Sequence, residues 1–364
     1  MSLDGSAGGL AAAGQSGLTS LAARQAHLDA LKLVGSQLIM LHHFSAYGPI
    51  SDALAEFAPA LIRWLYDYAR MAVQIFLVIG GFLSVQVLTT AARWDARGVL
   101  HAIGRRYLRL VLPFLVAVLF AVACASLTRN VLSAEFVPAA ATTTQVLAHA
   151  LLLHGILGQA SLSAGVWYVA IDFQLFALLA LLLWIGQRSG RPWLAPALVL
   201  GLVAASLFGF NRDEAWDNWA PYFFGAYGLG VLVYWIRQTS RPWSMLVLLA
   251  GLVLLTLLVD FRTRIALALA VALLLAMAPM GRPASQGLPA WLLRATQTLG
   301  RSSYAVFLLH FPVLMLVSAL YMSLGWSGPG PAMTGLALSW TASILLGLAF
   351  ERWVERLLTR LRLA

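Results

Sequence analysis

Lys32 and His43 stand eleven residues apart in the stretch LDALKLVGSQLIMLHHF. On a helix this spacing leaves them about 20° from a common face and about 16 Å apart along the axis. An imidazole suits proton transfer near neutral pH. Ser36 and Gln37 add polar groups between the two. The plainer reading is an interfacial histidine with a lysine that snorkels to the membrane surface. His42 points about 100° away and faces a different surface. Asp172, in GVWYVAIDFQLFALLALLLW, is a lone carboxylate in an apolar run, with Gln174 two residues on. Such a group needs a partner, and a His or Arg from another helix is the natural one. The plainer alternative is a buried structural ion pair. Trp167 and Tyr168 just before it read as interfacial aromatics. His310, in LGRSSYAVFLLHFPVL, is followed by Pro312, which removes a backbone donor and kinks a helix. Ser303 and Tyr304 lie upstream, and a neighbouring hydroxyl or carbonyl would satisfy a merely structural His310. In GRRYLRLVLP, Arg106 and Arg109 are about one helical turn apart, with Arg105 adjacent. Guanidinium groups so arranged bind phosphates by charge and forked hydrogen bonds, or simply anchor a helix end.

The elements that must position these residues are membrane helices. Of 364 residues, 61% are hydrophobic and 10% charged. A soluble domain carries roughly a quarter charged residues. The mean hydropathy is +0.82. Apolar stretches predict an all-α, polytopic bundle of about ten spans, near 28–47, 69–90, 107–127, 165–187, 192–209, 219–237, 243–260, 262–280, 301–323 and 331–350. The stretch 142–158, TTTQVLAHALLLHGILG, contains His149 and His154 and is too short for a span. It reads as a periplasmic or partly buried helix. Residues 1–25 read as a disordered cytoplasmic tail, 26–356 as the membrane domain, and 357–364 as a short basic cytoplasmic tail. The opening residues lack the basic start and apolar core of a signal peptide. Cys124 is the single cysteine and forms no intrachain disulfide. No repeat at solenoid spacing and no pair of similar halves with broken helices stands out.

The formal net charge of +10 sits at helix ends rather than in a separate basic patch, which argues against nucleic acid as a partner. With ten spans and an inside N-terminus, eighteen of the 24 Lys and Arg residues fall in cytoplasmic segments. The other six, Arg63, Arg70, Arg129, Arg212, Arg262 and Arg264, fall outside. Counting 142–158 as a span would flip every later loop and collapse this bias. Both termini are therefore expected in the cytoplasm.

Taken together, the segments resemble the acyltransferase 3 family of integral membrane O-acyltransferases. Lys32 and His43 match its basic residue, ten residues, histidine pattern, with lysine where arginine is more frequent. VQIFLVIGGFLS resembles its second-helix motif through Gly81, Phe82 and Leu83. GRRYLRLVLP resembles its cytoplasmic arginine motif, and WYVAIDFQLF its Trp-initiated segment. The latter often has adjacent acids, whereas here Asp172 is followed by Phe173. Gly300, Ser303, Tyr304, His310 and Pro312 match its late segment, and FERWVER its terminal one. The six segments occur in family order over roughly 28–356.

The resemblance implies transfer of an acyl group, often acetyl, from cytoplasmic acyl-CoA to a hydroxyl of a cell-surface glycan or related acceptor. It implies a bacterial cytoplasmic (inner) membrane location, with lipid and the acceptor as partners and no metal. His43 would act as general base or transient acyl carrier, Asp172 would orient it, and Lys32 with Arg105, Arg106 and Arg109 would neutralise donor phosphates. Trp167, Tyr168, Gln174, Ser303, Tyr304 and His310 would line the substrate path. The outer loops are short, so either the membrane domain acts alone or a separate periplasmic partner collects the product. A rival reading is a carrier or flippase for a lipid-linked saccharide or proton-coupled solute, since intramembrane His, Asp and Gln also suit a relay. A binding partner that has lost catalysis is a third, which the retained His43 disfavours. Release of free CoA separates the enzyme from both.

Overall fold

A computed structural model of the chain describes residues 6–90, 95–278 and 289–363. Arg93 and Arg282, counted above as cytoplasmic, lie outside the described residues, as do Met1–Gly5 and Ala364. All regular structure among the described residues is helical. The helices are α1 (Ser6–Ala46), α2 (Pro49–Phe57), α3 (Pro59–Tyr68), α4 (Val73–Thr89), α5 (Ala96–Thr128), α6 (Thr143–Ala150) and α7 (Trp167–Arg188). They continue as α8 (Leu194–Phe208), α9 (Ala220–Ile236), α10 (Pro242–Val259), α11 (Thr263–Met277), α12 (Ala290–Arg301), α13 (Ser303–Ser323) and α14 (Pro329–Arg360).

Local chemistry explains several boundaries. Gly48 at φ +89° and Pro49 separate α1 from α2. The Asp95 side chain caps α5 by accepting from the Gly98 amide. Thr142 and Gln145 form a reciprocal capping box at the start of α6. Helix α1 is continuous from Ser6, within the stretch expected to be a disordered tail; alanine, frequent there, has the highest helix propensity. Helix α14 likewise runs on to Arg360, into the expected basic tail.

Among the described residues, seven helical stretches are long and apolar enough to cross a membrane: Pro59–Thr89, Ala96–Thr128, Trp167–Arg188, Leu194–Arg212, Pro242–Val259, Ser303–Ser323 and Pro329–Arg360. Three of the ten expected spans fall short of that standard. Helices α9 and α11 are apolar but have 17 and 15 residues. In α1, Asp29, Lys32, Gln37 and the histidine pair dilute the apolar run. Helix α6 has eight residues, about 12 Å of helix, and does not span.

Helix α9 is buried on nearly all sides and packs on α4 and α8. Its approach to α4 is backbone to backbone: a Cβ on Gly81 would meet the Tyr227 carbonyl, and one on Gly230 the Val78 carbonyl. Small residues let helices approach closely where lipid supplies no hydrophobic drive. Helix α13 packs against α14, α5 and α1. On the exterior, α10 presents Val247, Leu248, Leu254, Leu255 and Leu258, the apolar outer face a bilayer requires.

Candidate active site

His43 lies in the last turn of α1 and His310 in the first half of α13. Packing of α1 on α13 brings their rings nearly parallel, with Nδ1 of His43 2.5 Å from Nε2 of His310. His310 Nδ1 is 2.6 Å from the Phe307 carbonyl oxygen. A carbonyl only accepts, so His310 Nδ1 carries a hydrogen and, in the neutral ring, Nε2 is the acceptor. His43 Nδ1–H therefore donates to His310 Nε2. This assignment leaves the lone pair of His43 on Nε2. His43 and His310 are 8% and 0% exposed.

His42 is separated from this arrangement as its position on the helix predicts. Its Nδ1 lies 3.4 Å from the Leu65 carbonyl, and its ring faces Tyr66 of α3. Gly165, in the turn before α7, closes over His43 from the other side. It sits at φ +79°, and a Cβ there would lie 3.1 Å from His43 Cε1 and 2.9 Å from Phe307. Neither Phe307 nor Gly165 carries a chemical signal in the sequence; a glycine before an aromatic helix start was the one available hint.

Asp172 pairs with Arg106 rather than with His43. Arg106 Nη2 donates to Asp172 Oδ2 at 2.6 Å, and the guanidinium lies 5.4 Å from the centre of the Phe176 ring. A carboxylate in a low-dielectric bundle draws the strongest cation within reach, and the arginine is always charged. The expected orientation of His43 by Asp172 is therefore replaced by orientation through His310. Tyr168, Tyr227 and Tyr304 lie within electrostatic range of the ion pair. Tyr304 also donates to the Leu110 carbonyl at 3.2 Å, tying α13 to α5. Ser303 is buried beside it at the start of α13.

The expected phosphate-binding trio is split. Arg106 faces inward to Asp172, whereas Arg105 and Arg109 are exposed. Lys32 lies 3.8 Å from Asp29 one turn earlier, apart from the histidines. Gln174 ties α7 to the start of α9: its Nε2 donates to the Asn218 carbonyl at 3.2 Å, and its Oε1 accepts from the Ala220 amide at 3.0 Å. Trp167 stacks on Phe223 at 5.4 Å, and Tyr168 packs edge-on against Phe76 and Phe307. Thus His43, His310 and Phe307 form one group and Asp172, Arg106, Tyr227 and Tyr304 a second, with Tyr168 touching both. Lys32, Arg105 and Arg109 stand apart from both.

Two clefts flank α7. One, of about 620 Å³, opens around its first turns at Trp167 and Gln174. The other, of about 730 Å³, lies at its opposite end beside Gln187, Arg191 and Trp235. Among the described residues, no group of three or more His, Cys, Asp or Glu side chains could hold a metal ion.

No curated protein and no solved structure matches the chain. The family model described as the acyltransferase domain, acyltransferase 3, matches residues 25–351, a stretch that contains both histidines, the ion pair and every helix from α2 to α13. The protein belongs to the acyltransferase 3 family.

Proposed function

We propose that this multi-pass membrane acyltransferase moves an acyl group, acetyl in its simplest form, from cytoplasmic acyl-CoA to a hydroxyl of a cell-surface glycan or related acceptor. The observation that carries the reading is the chain from the Phe307 carbonyl through His310 to His43, which leaves His43 Nε2 unprotonated. A base or nucleophile needs that lone pair. As base, His43 Nε2 takes the proton of the acceptor hydroxyl while its oxygen attacks the thioester carbonyl. The carbon–sulfur bond then breaks, and the CoA thiolate leaves and is protonated from His43. As carrier, Nε2 attacks the thioester carbonyl first, the carbon–sulfur bond breaks and CoA thiolate leaves; the acceptor oxygen then attacks the acyl-imidazole, the carbon–nitrogen bond breaks, and the hydroxyl proton passes to the thiolate, which restores the imidazole. In both routes the His310 Nε2 lone pair holds the Nδ1 proton and stabilises positive charge developing on His43.

In the proposed arrangement ten helices span the bacterial inner membrane and both termini are cytoplasmic. Three of these, α1, α9 and α11, are polar-bearing or short, and α9 crosses inside the bundle. The eighteen-to-six distribution of basic residues supports this orientation. Arg105 and Arg109, exposed and one turn apart, are the groups suited to donor phosphates. Mixing purified protein with acetyl-CoA and isolated surface glycan should release free CoA and yield O-acetyl groups. A His43→Ala protein that folds normally and acylates at the wild-type rate would overturn the reading.

A further inference from the structure

The cleft at the start of α7 has a chemical character that the proposed reaction leaves unused. His154 stands in its wall and is 1% exposed. Its ring stacks on His149 at 4.1 Å, nearly parallel. His149 is fully satisfied: Nδ1 donates to the Gln145 carbonyl at 2.7 Å, and Nε2 accepts from the Leu162 amide at 3.2 Å. His154 has neither bond. Both of its ring nitrogens are buried without a protein partner. A neutral imidazole offers one donor and one acceptor, and burying both unpaired costs free energy that a ligand can recover.

The rest of the wall narrows the ligand. Trp167, 37% exposed and backed by Phe223, offers an apolar face. Glu214 and Asp217 form no ion pair among the described residues and supply acceptor oxygens, which disfavour an anionic ligand. Of the two cations in the wall, Arg264 is held through both terminal nitrogens, whereas the exposed Arg70 is tied through Nε alone. Arg264 donates to the Tyr222 hydroxyl at 2.6 Å and the Asn211 carbonyl at 2.8 Å, and Arg70 to the Asp67 carbonyl at 3.3 Å. Carboxylates outside any ion pair, one of them, Asp217, already accepting from Asn218 through Oδ1, a buried group that both donates and accepts, and an aromatic face match a neutral ring with hydroxyls at its edge. The volume of about 620 Å³ falls within the roughly 300–1,000 Å³ of small-molecule sites and has room for more than one sugar ring. Trp167 is two residues from Gly165, which packs on His43, so one bend of chain borders both the cleft and the reactive imidazole.

We propose that this cleft binds hexopyranose rings of the acceptor, with Trp167 carrying a sugar face and His154 pairing with a sugar hydroxyl. The proposal rests on the function given above and names its acceptor site. The test is saturation-transfer NMR on maltotriose, chitotriose and glycerol with the protein in lipid nanodiscs, which avoid sugar detergents. At least one trisaccharide should bind saturably and glycerol should not. Trp167→Ala and His154→Phe should each weaken binding at least tenfold, with folding checked by thermal unfolding. If His154→Phe fails to fold, the exposed Trp167 decides alone. The proposal is overturned if neither trisaccharide binds, or if the folded variants bind as the wild type does. Acetyl-CoA turnover with the same trisaccharides on the wild-type protein separates the two ideas. Binding without CoA release defeats the transferase and keeps the cleft. Acetyl transfer with binding insensitive to both substitutions defeats the cleft and keeps the transferase.

Discussion

His43 Nδ1 lies 2.5 Å from His310 Nε2, and His310 is itself fixed by the Phe307 carbonyl at 2.6 Å. A neutral histidine, not a carboxylate, thus decides which nitrogen of His43 carries the hydrogen. His310→Leu removes the acceptor and frees His43 to take the other tautomer. We expect kcat to fall about 10²–10⁴-fold, the usual range for positioned acid–base groups, with the KM for acyl-CoA little changed. His310→Gln keeps an acceptor oxygen and should recover part of the loss. A purely structural His310 would instead give Gln and Leu variants of equal activity, or a change confined to folding.

The Arg106–Asp172 pair at 2.6 Å makes a different prediction, because its removal acts on the fold. Asp172→Asn leaves a half-buried guanidinium without its counter-charge. Breaking one side of a buried pair costs roughly 3–5 kcal/mol. The Arg106 side chain is 30% exposed, so the low end of that range or less is expected. Thermal unfolding in detergent should show each single variant destabilised and Arg106→Met with Asp172→Leu more stable than either. Arg105→Ala and Arg109→Ala should leave unfolding unchanged and raise the KM for acyl-CoA. If they leave donor KM unchanged as well, the exposed arginines are only topology anchors.

These two pairings mark where sequence reasoning reached its limit. Apolar runs located the seven long apolar stretches, because hydrophobic length is a local property, but not the shorter α2, α3 and α12 that pack against them. The spacing from Lys32 to His43 was legible for the same reason. His43 and His310 are 267 residues apart, and only packing of α1 on α13 joins them. That Asp172 needed a cationic partner followed from burial cost, but choosing Arg106 over His43 required knowing which helices touch. Helix α9 illustrates the opposite failing. The apolar run read as an ordinary span over 219–237, yet the helix has 17 residues, is buried on nearly all sides and need not match a bilayer's thickness at its surface. The wall of the α7 cleft comes partly from the turns around His154 and Asp217, which carry no helical period to read.

Glycines separate a packing role from a neutral one. Gly81 and Gly230 face each other across α4 and α9, where an added methyl would meet a backbone carbonyl in each direction. A backbone cannot rotate aside as a side chain can. Gly230→Ala should therefore destabilise by about 1–3 kcal/mol or more, the cost of overpacking. At Gly104 in α5 and Gly251 in α10 an added methyl would meet no atom within 4 Å, so these two serve as controls. Alanine there should be neutral or stabilise by up to about 1 kcal/mol through helix propensity. Thermal midpoints of the three variants test the contrast. Equal midpoints would mean that α4 and α9 separate easily.

His154 links the cleft to pH. Burial, with a smaller contribution from the neighbouring His149, pushes its pKa down to about 4. Burial lowers His149 as well. In the unfolded chain a histidine takes up a proton near pH 6.5. The unfolded state therefore binds more protons than the folded state between about pH 6.5 and pH 4, and stability must fall as pH is lowered through that window. Above pH 6.5 both states leave the ring neutral, and nothing is lost. The loss attributable to His154 by pH 4 is on the order of 1–3 kcal/mol. His154→Phe keeps the stack on His149 and cannot ionise. Thermal unfolding from pH 7.5 to pH 4.5 should show a steeper decline for the wild type than for His154→Phe, with the remaining slope of the variant reflecting His149 and the carboxylates. Parallel curves would mean that the His154 ring is solvated in the folded protein, and its unpaired nitrogens would then offer a sugar hydroxyl no advantage over water.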